Sequence, residues 1–222
     1  MRNASWFALA IGMVLGTAGC GTVSRQLPGN PAKYGPVFTP HNTYGERSLP
    51  KTLRRVVILP VHGGPFVPRE ISEALDRVFA AALEKQMRFE VVTLSRDQCQ
   101  LSFGVSDIGS ADPLPHDFLA ILGQKFGADG VIFVDITAYQ GYRPLLMGIR
   151  SKLANVADRR LIWSFDEEFS VLDPSVANGA RRYYLGNADG PVPYDPTEGV
   201  LQSPTRFAAY AADAVFKTLP PR

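Results

Sequence analysis

Two stretches of alternating residues late in the chain constrain the fold more than any other feature. In the first, Leu145, Met147, Ile149 and Leu153 share one face and Arg150 and Lys152 the other. In the second, Leu161, Trp163, Phe165, Phe169 and Val171 share a face opposite Ser164, Asp166, Glu168 and Ser170. A period of two is strand geometry with one face buried. The two apolar faces coincide only if paired residue numbers sum to an even value, as 153 with 163. A two-residue loop at Asp158-Arg159 would make the sum odd and turn one core face to water, so a loop with an odd number of residues is expected. The same register sets Arg150 and Lys152 across from Asp166 and Glu168, pairs contributing about 0.2–1 kcal/mol each. Glu167 interrupts the apolar face, which marks the strand's departure from the core.

The residues before this hairpin supply the rest of a sheet and its cover. Gly130 to Tyr139 is apolar on both faces at its start, as in a central, covered strand. Arg54 to Val61 and Arg88 to Ser95 are two shorter β-branched runs. Between them, Ile71, Leu75, Val78, Phe79, Ala82 and Leu83 form one stripe of an amphipathic helix within Pro68 to Met87. Arg96 to Asp112 reads as a polar loop. Asp112 then caps a helix that turns Phe118, Leu119, Leu122 and Phe126 inward and stops at Gly127. Asp173 to Ser203 reads as a long loop rich in proline and glycine, and such loops are often functional. A last helix runs from Ser203 and Pro204 to Pro220. The fold class expected is α/β, α+β-like in layout: a mixed five-stranded sheet backed by helices, in the order β-α-β-α-β-β-β-α, as one domain over residues 53–219.

The first residues differ in kind. Met1-Arg2-Asn3 carries one positive charge, Trp6 to Leu15 is uncharged and apolar, and Gly16-Thr17-Ala18-Gly19 leads to Cys20. The apolar run is shorter than the roughly 20 residues that span a bilayer and has the proportions of a secretory signal. The small residues before Cys20 resemble a bacterial lipobox, with Thr17 where Leu or Val is usual. The expectation is a signal peptide over 1–19, lipidation at Cys20, and a proline-rich tether over 20–52. A plain secretory signal cut near Ala18 and an uncleaved anchor are the alternatives. Gly21 in place of an aspartate favours the outer membrane, with the domain facing the periplasm.

Charge and cysteine content limit function further. With 23 Lys+Arg against 21 Asp+Glu, the 222-residue chain has a formal charge of +2, too even for a nucleic-acid footprint. Cys20 and Cys99 are the only cysteines. If Cys20 bears lipid, Cys99 has no disulfide partner in the chain and reads as a small buried hydrophobe.

The inventory for chemistry is thin. His62-Gly63-Gly64 follows a strand as an oxyanion loop would, but no G-x-S-x-G elbow supplies a nucleophile, and Ser106 in Gly104-Val105-Ser106-Asp107-Ile108 comes nearest. His41 lies in the tether. Asp107, Asp112, His116 and Asp117, and later Asp189, Asp195 and Glu198, lack the spacing of a metal loop. No catalytic residue, metal or cofactor is expected. Arg181-Arg182-Tyr183-Tyr184 stands out instead, because arginine and tyrosine are enriched at binding hot spots; these four are the expected contact for a partner protein.

Several phrases resemble one superfamily. Arg54 to Val61 resembles the opening strand of the curli-secretion lipoprotein (CsgG) superfamily and of the TolB amino-terminal domain. Gly127-Ala128-Asp129-Gly130-Val131-Ile132 is similar to the segment leading into their central strand, and Val156 to Trp163 to their hairpin. The resemblance covers Arg54 to Leu219. It implies a mixed sheet backed by helices in a periplasmic lipoprotein of envelope assembly. The long amphipathic hairpins of the curli pore have no counterpart in Asp173 to Ser203, since a membrane strand needs about 9–11 alternating residues. The leading expectation is therefore a non-enzymatic envelope lipoprotein that binds a partner protein. A self-associating ring subunit and a small secreted hydrolase using His62 are the alternatives.

Overall fold

In the computed structural model, which describes residues 35–65, 67–186 and 197–222, the central feature is one six-stranded sheet. Its strands are β1 (Thr43–Gly45), β2 (Arg55–Ile58), β3 (Glu90–Thr93), β4 (Gly130–Gln140), β5 (Leu146–Asn155) and β6 (Leu161–Ser170), in the spatial order β1-β6-β5-β4-β2-β3. β2 pairs in parallel with β3 and β4, and β4, β5, β6 and β1 pair antiparallel. The class is the one expected, with one strand more. Around the sheet lie α1 (Arg69–Glu84), α2 (Arg96–Phe103), α3 (Phe118–Phe126), α4 (Pro174–Gly186), α5 (Thr197–Val200) and α6 (Pro204–Phe216).

The sheet has two cores. On one face, Leu75, Phe79 and Leu83 of α1 and Phe207, Ala211 and Phe216 of α6 pack on Ile58, Ile132, Ile149 and Trp163. On the other, α2 and α3 bring Cys99, Phe118 and Leu122 onto Val57, Val131 and Phe133. This second cover reaches the parallel half, and that explains why β4 begins apolar on both sides.

The hairpin register is as expected through its body: Leu153 faces Trp163, and Arg150 faces Asp166 with Nε 2.8 Å from Oδ2. Lys152 faces Ser164 instead of an acid, and its ammonium donates to the carbonyl of Ser110. At the tip the pairing changes, Ala154 facing Leu161. The even register comes from a bulge at Ile162, not from loop length. The bulge reverses the expected assignment there: Ile162 is buried and Leu161 is 41% exposed.

Three further expectations are corrected. The segment 96–112 is not all loop, because α2 starts at Ser95 with a complete capping box, the Ser95 and Gln98 side chains each taking the other's backbone N–H. Asp112 does not cap α3; its carboxylate accepts from Gly109 N, and Asp117 stands at the helix start without a side-chain cap. Residues 174–186 form α4 rather than loop, preceded by Asp173, whose carboxylate accepts from Ser175 N at 2.7 Å. The glycine inside this helix is what masks it in sequence; Gly179 packs on the Tyr210 ring, where an added Cβ would lie 2.9 Å from Cζ.

The tether also ends earlier than expected. Residues 43–45 form the edge strand β1, and Phe38 packs edge-on against Phe169 with centroids 5.2 Å apart. Glu167 explains the capture. Its side chain is 6% exposed, and its carboxylate accepts from the backbone N–H groups of both His41 and Asn42. The acid on the apolar face is a clamp for the incoming chain, not a sign that β6 leaves the core. The signal segment 1–19 and Cys20 lie outside the described residues.

Candidate functional site

The Arg181–Tyr184 quartet occupies the last turns of α4, and each member is already engaged. Arg181 Nη1 lies 3.4 Å from Asn178 Oδ1. Arg182 Nη2 donates to the Gly35 carbonyl at 3.0 Å, beside Asn178 Nδ2 donating to Pro36 at 3.3 Å and Phe38 N donating to Ser175 O at 3.1 Å. α4 is thus the dock on which the chain arriving from the amino-terminal side is laid. Tyr183 tilts against Tyr210 with ring centroids 6.2 Å apart, under the Lys85 ammonium at 5.0 Å. Tyr184 carries the Arg206 guanidinium at 5.2 Å. Both tyrosines pack partly onto the core. The quartet therefore lies on a helix between core and surface, not on a loop displayed to solvent.

Tyr183 separates two clefts. One, of about 500 Å³, lies between residues 37–40, α4 and α6, and is lined by Phe38, Tyr183, Tyr210, Asp213 and Lys217. Asp213 is only 2% exposed, with Lys217 Nζ 2.6 Å from Oδ2 and Lys85 Nζ 3.5 Å from Oδ1. Among the described residues, Asp213 Oδ1 and Tyr210 Oη make no hydrogen bond. Burial pushes the Tyr210 phenol well above its ordinary value, with the Asp173 carboxylate adding to it. Burial raises Tyr183 as well, helped by Asp213. The second cleft, of about 510 Å³, lies between α1 and α6 and is lined by Arg77, Val78, Ala82, Lys85, Tyr183 and Arg206.

His62 belongs to a different constellation, beyond the carboxyl end of β2, where it bridges Asp135 midway along β4. Its Nδ1 lies 2.7 Å from Asp107 Oδ1. Asp107 Oδ2 accepts from Arg96 Nη1 and from Ser106 Oγ, both at 2.9 Å. Arg96 grips Asp76 with two nitrogens, at 2.8 and 3.0 Å, and donates to the Val61 carbonyl at 2.7 Å; Val61 N returns a bond to Asp76 Oδ1. Burial holds the Asp76 carboxyl above its ordinary value despite these donors. The network ties together the end of β2, α1, the start of α2 and the following loop. The Ser106 hydroxyl is turned to Asp107, so the serine–histidine pair that a hydrolase needs is not assembled here. In sequence His62 and Ser106 read as an enzyme's parts, whereas Arg96, the arginine that organises them, carries no local motif.

Among the described residues no group of three His, Cys, Asp or Glu side chains is placed to hold a metal, and no helix is long and apolar enough to cross a membrane. His41 lies against Glu167, and exposed His116 pairs with its neighbour Asp117. Asp189 and Asp195 lie outside the described residues.

No protein-family model matches the sequence, and no curated protein matches it significantly. Among solved structures, the chain is similar to the PelC dodecamer from Paraburkholderia phytofirmans, at 10% identity and a TM-score of 0.46, over 81% of this chain and 96% of that one. It is also similar to the lipoprotein GNA1162 from Neisseria meningitidis, at 15% identity and a TM-score of 0.38, over 52% of this chain and 79% of the other. TolB from Acinetobacter baumannii is similar at 11% identity and a TM-score of 0.33, over 66% of this chain and 31% of its own. Likeness at this level leaves function to be argued from the residues of this chain.

Proposed function

We propose that the chain is a non-enzymatic cell-envelope lipoprotein, lipidated at Cys20 and held at the outer membrane facing the periplasm, that binds a partner protein through the α1–α4–α6 face. One observation supports the reading: Tyr183 stands between two clefts, and beside the first of them Tyr210 Oη is a buried polar atom with no hydrogen-bond partner among the described residues. A buried polar atom without a partner costs about 1–3 kcal/mol, which a bound donor or acceptor recovers. The chain from Cys20 to Gly35 extends at most about 54 Å at ~3.6 Å per residue, so the face works close to the membrane.

The test is photocrosslinking from the α6 surface in the native envelope, with the captured protein identified. Tyr183→Ala should reduce capture with the fold retained, and Cys20→Ala should abolish incorporation of labelled fatty acid. Undiminished capture by the Tyr183 variant refutes the assigned face, and labelling of the Cys20 variant refutes the anchor.

The second reading, a self-associating ring subunit, is favoured by the sheet order, which ends in β1 and β3, each with an outer edge that no described residue pairs. A discrete multiple of the chain mass in detergent supports it, and a monomer removes it.

A further inference from the structure

We infer that the cleft between α1 and α6 takes an acidic, amphipathic segment of the partner protein. The inference rests on the proposed binding function and specifies its chemistry.

Charge is uneven across α1. Glu70, Glu73, Asp76 and Glu84 line the groove on its β3 side, together with Arg96 and with Arg77, which borders both clefts. The cleft on its α6 side is lined by Arg77, Lys85 and Arg206, and among the described residues no acidic side chain lines it. Asp213 lies behind Lys85, but its carboxylate is buried and matched at 2.6 Å by Lys217. Two of the three cations sit over aromatic rings, Lys85 over Tyr183 and Arg206 over Tyr184. That placement restrains long side chains before any ligand arrives, which lowers the ordering cost of binding.

Between the cations the lining is apolar and small: Val78, Ala81, Ala82 and Ala209. An apolar side chain of the ligand fits there, with carboxylates reaching the cations on either side. Arg77 and Lys85 stand eight residues apart on one helix, about 12 Å at 1.5 Å per residue. A partner helix with acids two turns apart and leucine-like residues between them matches that spacing, in the manner of a helix laid in a groove. A bilayer surface is a poorer fit, since the cations line a concavity rather than a projecting face. A nucleic acid would need a longer cationic track than these three groups provide.

The experiment uses the full lipidated chain in nonionic detergent and a short labelled helical peptide of Glu and Leu as probe. The peptide should bind, and binding should weaken with added salt. Arg77→Glu combined with Arg206→Glu should weaken it about tenfold or more with the melting temperature unchanged, since both residues are exposed. A peptide with Lys for Glu, or Ser for Leu, should bind far more weakly, and vesicles of phosphatidylglycerol should not compete. The inference is overturned if the Glu–Leu peptide fails to bind, if the Lys–Leu peptide binds as well, if the double variant binds undiminished, or if the vesicles displace the peptide. In the envelope, partner capture that survives the double variant overturns this inference and leaves the proposed function standing. Absence of capture by the unaltered protein overturns the proposed function itself.

Discussion

Arg182 Nη2 donates to the carbonyl of Gly35 at 3.0 Å. A residue that reads in sequence as a partner contact is thus engaged with the segment that leads back toward the amino terminus. The strap continues along the domain through Phe38 on Phe169, Glu167 on His41 and Asn42, and β1 on β6. Tension on the amino-terminal side therefore reaches both α4 and the edge of the sheet.

Glu167→Ala should loosen this strap. It leaves the backbone N–H groups of His41 and Asn42 without their acceptor, an expected loss of about 1–3 kcal/mol. Amide hydrogen exchange across residues 38–46 should accelerate while that of β4 and β5 stays slow. Glu167→Gln, which keeps an acceptor oxygen, should retain much of the protection. Unchanged exchange at Asn42 in the alanine variant would show that Glu167 does not hold the strap.

Arg96→Ala should be among the costliest polar substitutions in the chain. The Arg96 side chain is 10% exposed and stands between the Asp76 and Asp107 carboxylates. Removing it leaves two partly buried acids facing each other without their shared guanidinium, Asp76 keeping only the Val61 N–H and Asp107 only His62 and Ser106, for which about 3–5 kcal/mol is expected. Adding Asp76→Asn to the variant should recover part of that loss. Urea unfolding of the two single variants and the double measures the coupling; additive losses would mean that Arg96 and Asp76 do not act as a pair.

The parts legible in the sequence are those in which one physical signal dominates. Alternation in β5 and β6 identifies the strands and the pairing of Leu153 with Trp163, because a shift of one residue would turn the core face to water. It cannot show the bulge at Ile162, since inserting a residue breaks the period on which the reading depends. α4 is hidden for another reason. Asp173 and Pro174 are a helix start visible in sequence, but Asn178 and Gly179 read as loop residues until Tyr210 is seen filling the space above Gly179. β1 has no apolar face, so only its pairing with β6 reveals it. At the candidate site, Tyr183 stands out in sequence as an aromatic beside two arginines, whereas Asp213 reads only as one polar residue on a final helix. Its burial beside Lys85 depends on how α1 and α6 meet, and no local pattern carries that.

Trp163 and Ser164 test the strand faces directly. Trp163 is fully buried, tilts against Phe165 and Phe216, and donates from Nε1 to Thr218 Oγ1 at 3.1 Å. Trp163→Ala should cost about 3–5 kcal/mol, whereas Ser164→Ala on the opposite face should change stability by about 0.5 kcal/mol or less. The bulge adds a second contrast: Ile162→Ala should cost about 2–5 kcal/mol and Leu161→Ala far less. Equal melting temperatures for the Ile162 and Leu161 variants would place the bulge elsewhere.

Cys99 gives a prediction in pH. It is fully buried in the second core with Ile108 and Phe118, and burial, assisted by the Asp107 carboxylate, moves its thiol from 9.0 to about 11. In a Cys20→Ser variant Cys99 is the only thiol. At about pH 8 it should react with a disulfide reagent only as fast as the domain opens, because the reactive species is the exposed thiolate. The sign for stability follows from the direction of the shift. The folded state holds the proton to higher pH than the unfolded chain does, so between the two values the unfolded state binds fewer protons and stability falls as pH rises. The contribution is complete below about 9 and is lost as pH passes through about 11. Urea unfolding of the Cys20→Ser protein with and without Cys99→Ala, at several pH values across this window, isolates the effect. The stability difference between the two proteins should shift against the thiol-bearing chain as pH rises. A difference that stays constant across the window would show that Cys99 titrates alike in the folded and unfolded chains, and that the second core does not exclude its charge.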